Sequence, residues 1–213
     1  TDMAPYWAHV RDVDPYLQPD PNRFPGKMVE YKLPTEQLAP MRRDLNCIQC
    51  GVCYSDCSVT EVSDAFVGPP ALALAHRFVT DPRDGQRRER LEKLIELGLW
   101  DCAHAYNCME CPKHVNPADA IADLRRIAIA EGVTANAGAR YTQSFRHNVE
   151  RTGRLNETAL FAEAVGVRGV AEQRAKMALK GKMPLPVFQK RVANYDDVKR
   201  IYEAFAKTPG GKE

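Results

Sequence analysis

The sequence predicts a mainly α-helical protein, and three observations carry that prediction. Apolar residues recur at helical spacing in successive windows, no segment sustains the two-residue alternation of a strand, and glycines and prolines fall where helices should begin and end. The chain has 213 residues, 44% of them hydrophobic, enough for one large or two small domains with a true core.

Taken in order, residues 1–40 carry Pro5, Pro15, Pro19, Pro21, Pro25, Pro34 and Pro40 with aromatics between them. That composition predicts a proline-rich arm with one short helix near Tyr6–Val13. Residues 69–80 read as a helix opened by Pro69 and Pro70 and ended near Asp81-Pro82. Over 86–98, Leu91, Leu94, Ile95 and Leu97 share one face and Gly98 closes the helix, while the charged run from Asp84 to Arg90 reads as a solvated helix start. Asn116 as a cap and Pro117 at the first helical position begin the next helix, in which Ile121, Leu124, Ile127 and Ala128 repeat until Gly132. Further helices are expected near 138–152, 156–165, 170–180 and 195–206, punctuated by Gly153, Gly166, Gly181 and the Pro184/Pro186 pair. The expected organisation is an arm at 1–40, a core domain at 41–131 and a helical C-terminal extension at 132–213.

Charge excludes one class of partner. With 30 basic against 28 acidic side chains the net charge is +2, and the basic residues are scattered, which gives no footprint for nucleic acid. No uninterrupted apolar run approaches the roughly 18 residues of a membrane span, so a soluble or peripheral protein is expected. The chain opens on Thr1 without the layout of a signal peptide, and it is expected to be the remainder of a longer one.

The chemistry lies in the cysteines. Seven is an odd count for a disulfide framework, and all seven fall between Cys47 and Cys57 or between Cys102 and Cys111, which favours a reducing compartment. The first group, Cys47-x2-Cys50-x2-Cys53-x3-Cys57, has the spacing that wraps three thiolates around one iron–sulfur cluster and sends the fourth to another. In the second group Cys102 and Cys108 take the first and third places, Ala105 stands in the second, and Cys111 precedes Pro112 as a remote ligand does. The count assigns Cys47, Cys50, Cys53 and Cys111 to a [4Fe–4S] cluster, and Cys57, Cys102 and Cys108 to a [3Fe–4S] cluster. A fourth iron completed by water, His104 or another side chain is the alternative for the second cluster. With a helix after each cysteine group (69–80 and 117–131), the fold expected is a two-cluster, bacterial-type α-helical ferredoxin core. A redox-inert, zinc-stabilised interaction module is the other reading, although three cysteines at two-residue spacing crowd a single tetrahedral ion. His104 and Tyr106 lie in the loop beside the second cluster, where a proton donor to a quinone or a hydrogen bond to cluster sulfur are both open. His76 reads as a satisfied surface or interface histidine, and His114 as a solvated loop residue.

These residues resemble the iron–sulfur subunit of succinate dehydrogenase and fumarate reductase. The likeness runs over about residues 1–131: Asp2-Met3, Tyr6-Trp7 and Pro15-Tyr16-Leu17; Ala65-Phe66-Val67-Gly68-Pro69-Pro70-Ala71-Leu72; Arg77-Phe78; Asp81-Pro82-Arg83-Asp84; and Cys111-Pro112-Lys113 through Asn116-Pro117. The resemblance implies a non-catalytic electron-transfer subunit of succinate:quinone oxidoreductase, an enzyme of the tricarboxylic acid cycle. Such a subunit relays electrons between an FAD flavoprotein and quinone, with membrane-anchor subunits as further partners, and sits peripherally on the cytoplasmic face of the cell membrane. It also implies an N-terminal [2Fe–2S] domain, whose C-x4-C-x2-C pattern does not occur here. Three features depart from the family: Ser58 in place of proline after Cys57, a two-residue gap between Cys108 and Cys111, and no tryptophan in Val59-Thr60-Glu61-Val62, where the family builds part of its quinone pocket. Gly153-Arg154-Leu155-Asn156-Glu157 and Leu179-Lys180-Gly181-Lys182 resemble instead the cytoplasmic iron–sulfur subunits of heterodisulfide reductases and their relatives. That likeness implies the alternative of a heterodisulfide-reductase-like or glycerol-3-phosphate-dehydrogenase-like electron-transfer subunit.

Overall fold

The axis of the fold is a helix with no solvated face. In the computed structural model, which describes residues 2–24, 30–157, 159–164, 166, 180 and 190–207, nine of the eleven residues of helix Pro69–Val79 are buried. A helix apolar on all sides belongs inside, and its three buried alanines (Ala71, Ala73 and Ala75) let neighbours approach its backbone. The chain divides into two compact units, Thr1–Val133 and Thr134–Glu213. Among the described residues there is no strand, only an isolated antiparallel bridge between Pro19 and Asp84.

In the first unit the helices are α1 (Ala4–Asp12), α2 (Val52–Ser55), α3 (Ser58–Val62), α4 (Pro69–Val79), α5 (Arg87–Glu96) and α6 (Pro117–Ala130). Short 3-10 turns at Thr35–Met41, Asp44–Asn46 and Asn107–Met109 join them. The core gathers Val13, Phe66, Val67, Leu72 and Val79 with Leu91, Leu94, Leu99, Ile121, Leu124 and Ile127. Each large member contributes roughly 1.5–3 kcal/mol by leaving water. The α4–α6 pairing is the broadest contact of this unit.

Three local expectations are corrected. The Asp84–Arg90 run is exposed only at Gly85, Arg87, Arg88 and Glu89. The Arg90 side chain is 4% exposed, pairs at 2.9 Å with an Asp84 side chain that is 0% exposed, and donates to the carbonyls of Val13, Asp14 and Tyr16. Among its described residues the proline-rich arm forms no ladder of its own, and Arg90's fork of donors satisfies three of its backbone acceptors instead. Asn116 does not cap α6 with its side chain; it takes a left-handed backbone (φ 54°), and its carbonyl accepts from Asp119 and Ala120. His76 is not at the surface: it is buried between Asp44 and Asp123, at 2.6 and 2.9 Å.

Gly68 begins α4 with φ 87°, and a Cβ there would lie 2.7 Å from the Tyr54 ring. Gly68→Ala meets both the strain of a positive φ and a clash, so a loss of about 1–3 kcal/mol is expected. Thermal unfolding checks it, and an unchanged midpoint would contradict this account of the turn.

In the second unit, α7 (Ala137–Thr152) is capped by Asn136, whose side chain accepts from the Gly138 N–H at 2.6 Å, and it ends at Gly153 (φ 72°). Helix α8 (Tyr195–Lys207) packs on α7, and the Tyr195 hydroxyl donates to the Glu150 carbonyl at 2.8 Å. Residues 159–164 are helical, within the expected 156–165 segment. The helix expected over 170–180 falls, but for Lys180, outside the described residues, as do Pro25, Gly181, Lys182, Pro184 and Pro186.

Candidate functional site

Two cavities divide the seven cysteines. Cys47, Cys50 and Cys53 of the first loop face one cavity together with Cys111 of the second loop, and Pro70, Ala73 and Pro117 form its floor; it encloses about 400 Å³ of space, part of it open to solvent. Cys57 crosses to the other, of about 340 Å³, where it joins Cys102 and Cys108 beside Pro69 and Ala118. The crossing follows from packing: Cys47 and Cys111 rest on Ala73, Val115 and Ala120, whereas Cys57 and Cys102 rest on the main core. Ala105 lines the second cavity and supplies no ligand atom.

The loops are bent to serve these cavities. Of the six non-glycine residues with positive φ among the described residues, five lie in or beside the cysteine loops: Gln49, His104, Tyr106, His114 and Asn116. Each such residue costs on the order of 1–2 kcal/mol, which surrounding contacts must offset. The bends turn backbone donors inward. The His104 N–H donates to Cys102 Sγ at 3.4 Å, and the backbone N–H groups of Gln49 and Ala118 favour the thiolates of Cys47 and Cys108. The first turns of α4 and α6 reach both cavities, so the positive ends of two helix dipoles face whatever the thiols hold.

Burial, then the neighbouring thiols, push Cys53 up to about 12; burial and Cys102 push Cys108 up to about 11, and Cys47 also lies above the ordinary range. Crowded, half-buried thiols of this kind become thiolates only with a cationic partner at hand. Among the described residues no group of three or more His, Cys, Asp or Glu is placed to hold a metal ion. The donor set fits iron–sulfur clusters: soft sulfur ligands, four in one cavity and three in the other, with the His104 N–H on the Cys102 sulfur.

His104 and Tyr106 line the second cavity with ring centroids 5.9 Å apart, and Tyr106 is 57% exposed. Burial and the charge of Arg125 hold His104 below its ordinary pKa, which keeps the imidazole neutral near pH 7. Sequence reasoning missed Arg125, which donates to the carbonyls of Leu99 and Cys102 at 2.9 Å each and stacks on Trp100. It missed Tyr6 as well, although Tyr6 lines the first cavity. A signal for Arg125 exists: it falls four residues after Ile121, on the apolar face of α6.

Residues 44–115 match a family described as "4Fe-4S dicluster domain". The chain is 30% identical over 176 residues to the 8-methylmenaquinol:fumarate reductase iron-sulfur subunit of Wolinella succinogenes, covering 79% of this chain and 55% of that protein. It is 35% identical over 122 residues to the fumarate reductase iron-sulfur subunit of Escherichia coli O157:H7, covering 56% of this chain and 49% of the relative. For the fumarate reductase iron-sulfur subunit of Haemophilus influenzae the figures are 41% over 87 residues, 40% of this chain and 34% of the relative. The chain thus spans about half the length of the first two of these relatives.

Proposed function

Starting from a chain that carries a 4Fe–4S dicluster domain and matches the iron–sulfur subunits of the fumarate reductase and succinate dehydrogenase family, we propose that it is an electron-transfer subunit of such a complex. It takes no part in the substrate chemistry and works between an FAD flavoprotein and quinone, alongside membrane-anchor subunits. The observation that carries the reading is the division of seven thiols, four to one cavity and three to the other, beside a family match over the same residues.

In this reading Cys47, Cys50, Cys53 and Cys111 hold a [4Fe–4S] cluster, and Cys57, Cys102 and Cys108 hold a [3Fe–4S] cluster. When bound, the clusters supply one-electron steps. The protein's own work is electrostatic: inward N–H groups and the first turns of α4 and α6 favour added negative charge, and Arg125 holds a fixed cation next to the Cys102 loop. In this reading neutral His104 and exposed Tyr106, which line the second cavity, are the groups that meet quinone. The relative named for 8-methylmenaquinol supports a quinone partner. Among the described residues no helix is long and apolar enough to cross a membrane, and we place the chain peripherally on the cytoplasmic face.

The test is reoxidation. The anaerobic, dithionite-reduced chain, freed of excess reductant and mixed with a menaquinone analogue, is expected to recover its oxidised spectrum within seconds. Slow recovery, equal to that of a His104→Ala/Tyr106→Ala variant, would contradict the quinone assignment. Co-purification with a flavoprotein carrying covalent flavin supports the succinate or fumarate reading over a heterodisulfide-reductase-like one.

A further inference from the structure

We propose that Tyr6 is a positioning residue for the four-iron site, its hydroxyl fixing the Cys47–Cys50 turn through Gln49. The inference rests on the assignment of that cluster to Cys47, Cys50, Cys53 and Cys111.

Tyr6 comes from α1, 43 residues before its partner, and is 2% exposed. Its ring forms part of the wall of the four-thiol cavity, and its hydroxyl donates to Gln49 Oε1 at 2.5 Å. Gln49 stands at φ 55°, a conformation that favours glycine and that glutamine holds only under external restraint. The restrained residue matters because its backbone N–H lies on the Cys47 side of the turn, where it favours the Cys47 thiolate against the burial that opposes it. The hydroxyl therefore acts two links away from the ligand: Tyr6 holds the Gln49 side chain, and the Gln49 backbone N–H favours the Cys47 thiolate.

The neighbouring contacts show that α1 is built for this task. Met3 Cε lies 3.2 Å from where a Cβ on Gly51 would stand, and the Tyr54 hydroxyl meets His9 Nδ1 at 3.1 Å. Met3, Tyr6 and His9 are three apart, so the start and one face of the helix read the cysteine loop at successive points. The Tyr6 ring is itself held edge-on by Trp7 and Tyr54, at 4.8 and 5.5 Å. Removing the hydroxyl alone leaves this packing intact, which separates positioning from folding.

The experiment follows loss of iron to a strong chelator under anaerobic conditions, with the reduced four-iron EPR signal as the readout and the oxidised three-iron signal as internal reference. Tyr6→Phe is expected to lose the four-iron signal about fivefold faster than the unmodified chain, the factor a hydrogen bond's ordinary net contribution corresponds to. The three-iron signal decays at its original rate. Adding Gln49→Gly to Tyr6→Phe restores much of the retention, because glycine takes the left-handed conformation without restraint. Equal loss rates in Tyr6→Phe and the unmodified chain would overturn the proposal, as would loss of both signals together or failure of the glycine to rescue. An unmodified chain with a three-iron signal and no four-iron signal would overturn the ligand assignment, and the proposal with it.

Discussion

Cys111→Ala is expected to remove the four-iron EPR signal of the reduced protein completely and to leave the three-iron signal of the oxidised protein, although Cys111 belongs to the second cysteine group. Cys57→Ala, in the first group, is expected to do the reverse. The crossing of these two thiols is what the cavities display: Cys111 joins Cys47, Cys50 and Cys53, and Cys57 joins Cys102 and Cys108. Alanine offers no ligand atom, so the cluster that loses this thiolate loses one of its sulfur anchors. With assembly of one cluster lost, iron content should fall from about seven to about three per chain in Cys111→Ala and to about four in Cys57→Ala. If each sequence group held its own cluster, Cys57→Ala would instead cost the four-iron signal. EPR of the two variants, in both oxidation states, separates the arrangements.

The second large effect lies away from the thiols. His76 on α4 is clamped between Asp44, from the turn before the first cysteine, and Asp123 on α6. Burial pulls its pKa down, but hydrogen bonds and charges from Asp123 and Asp44 outweigh burial and raise it to about 9. The same pairing draws Asp123 down to about 2, with Arg126 also bonded to that carboxylate; this is one interaction seen from two sides and counts once. A folded-state pKa raised from 6.5 to about 9 corresponds to about 3 kcal/mol of stability. That stability is fully present below pH 6.5 and is lost as pH rises toward 9. His76→Leu leaves the Asp44 carboxylate, 3% exposed, without its cation, and a loss of about 3–5 kcal/mol is expected at pH 6. The gap between the two proteins in thermal unfolding should narrow from pH 6.5 to 9. A gap that stays constant across that range would show that His76 stabilises by packing alone.

Helices were legible wherever apolar periodicity met a clear stop: Pro69 and Pro70 opening α4, Gly98 after α5 and Gly153 after α7 stand where expected. That Cys57 lines a different cavity from Cys47, Cys50 and Cys53 agrees with C-x2-C-x2-C-x3-C spacing, which restricts where a chain can place sulfur. Polar residues on apolar faces were not legible. His76 shares a face of α4 with Leu72, Ala75 and Val79, and Arg125 shares one of α6 with Ile121, Leu124 and Ala128. Periodicity marks such a residue as anomalous without naming its partner, since Asp44, Asp123 and Trp100 lie far along the chain. Arg90 shows the same limit, because its acceptors are backbone carbonyls of a proline-rich arm, and carbonyls carry no sequence signal. Tyr6 was legible as part of a short helix, but its place at the cavity depends on how that helix docks.

EPR of the anaerobically prepared chain, oxidised and then dithionite-reduced, beside an assay of iron, sulfide and zinc, tests the electron-carrier reading most directly. A near-isotropic oxidised signal, a four-iron signal on reduction and about seven irons per chain are the expected result. Two four-iron signals with about eight irons would mean that a group other than cysteine completes the second site. No signal in either state, with stoichiometric zinc, would contradict electron transfer by this chain.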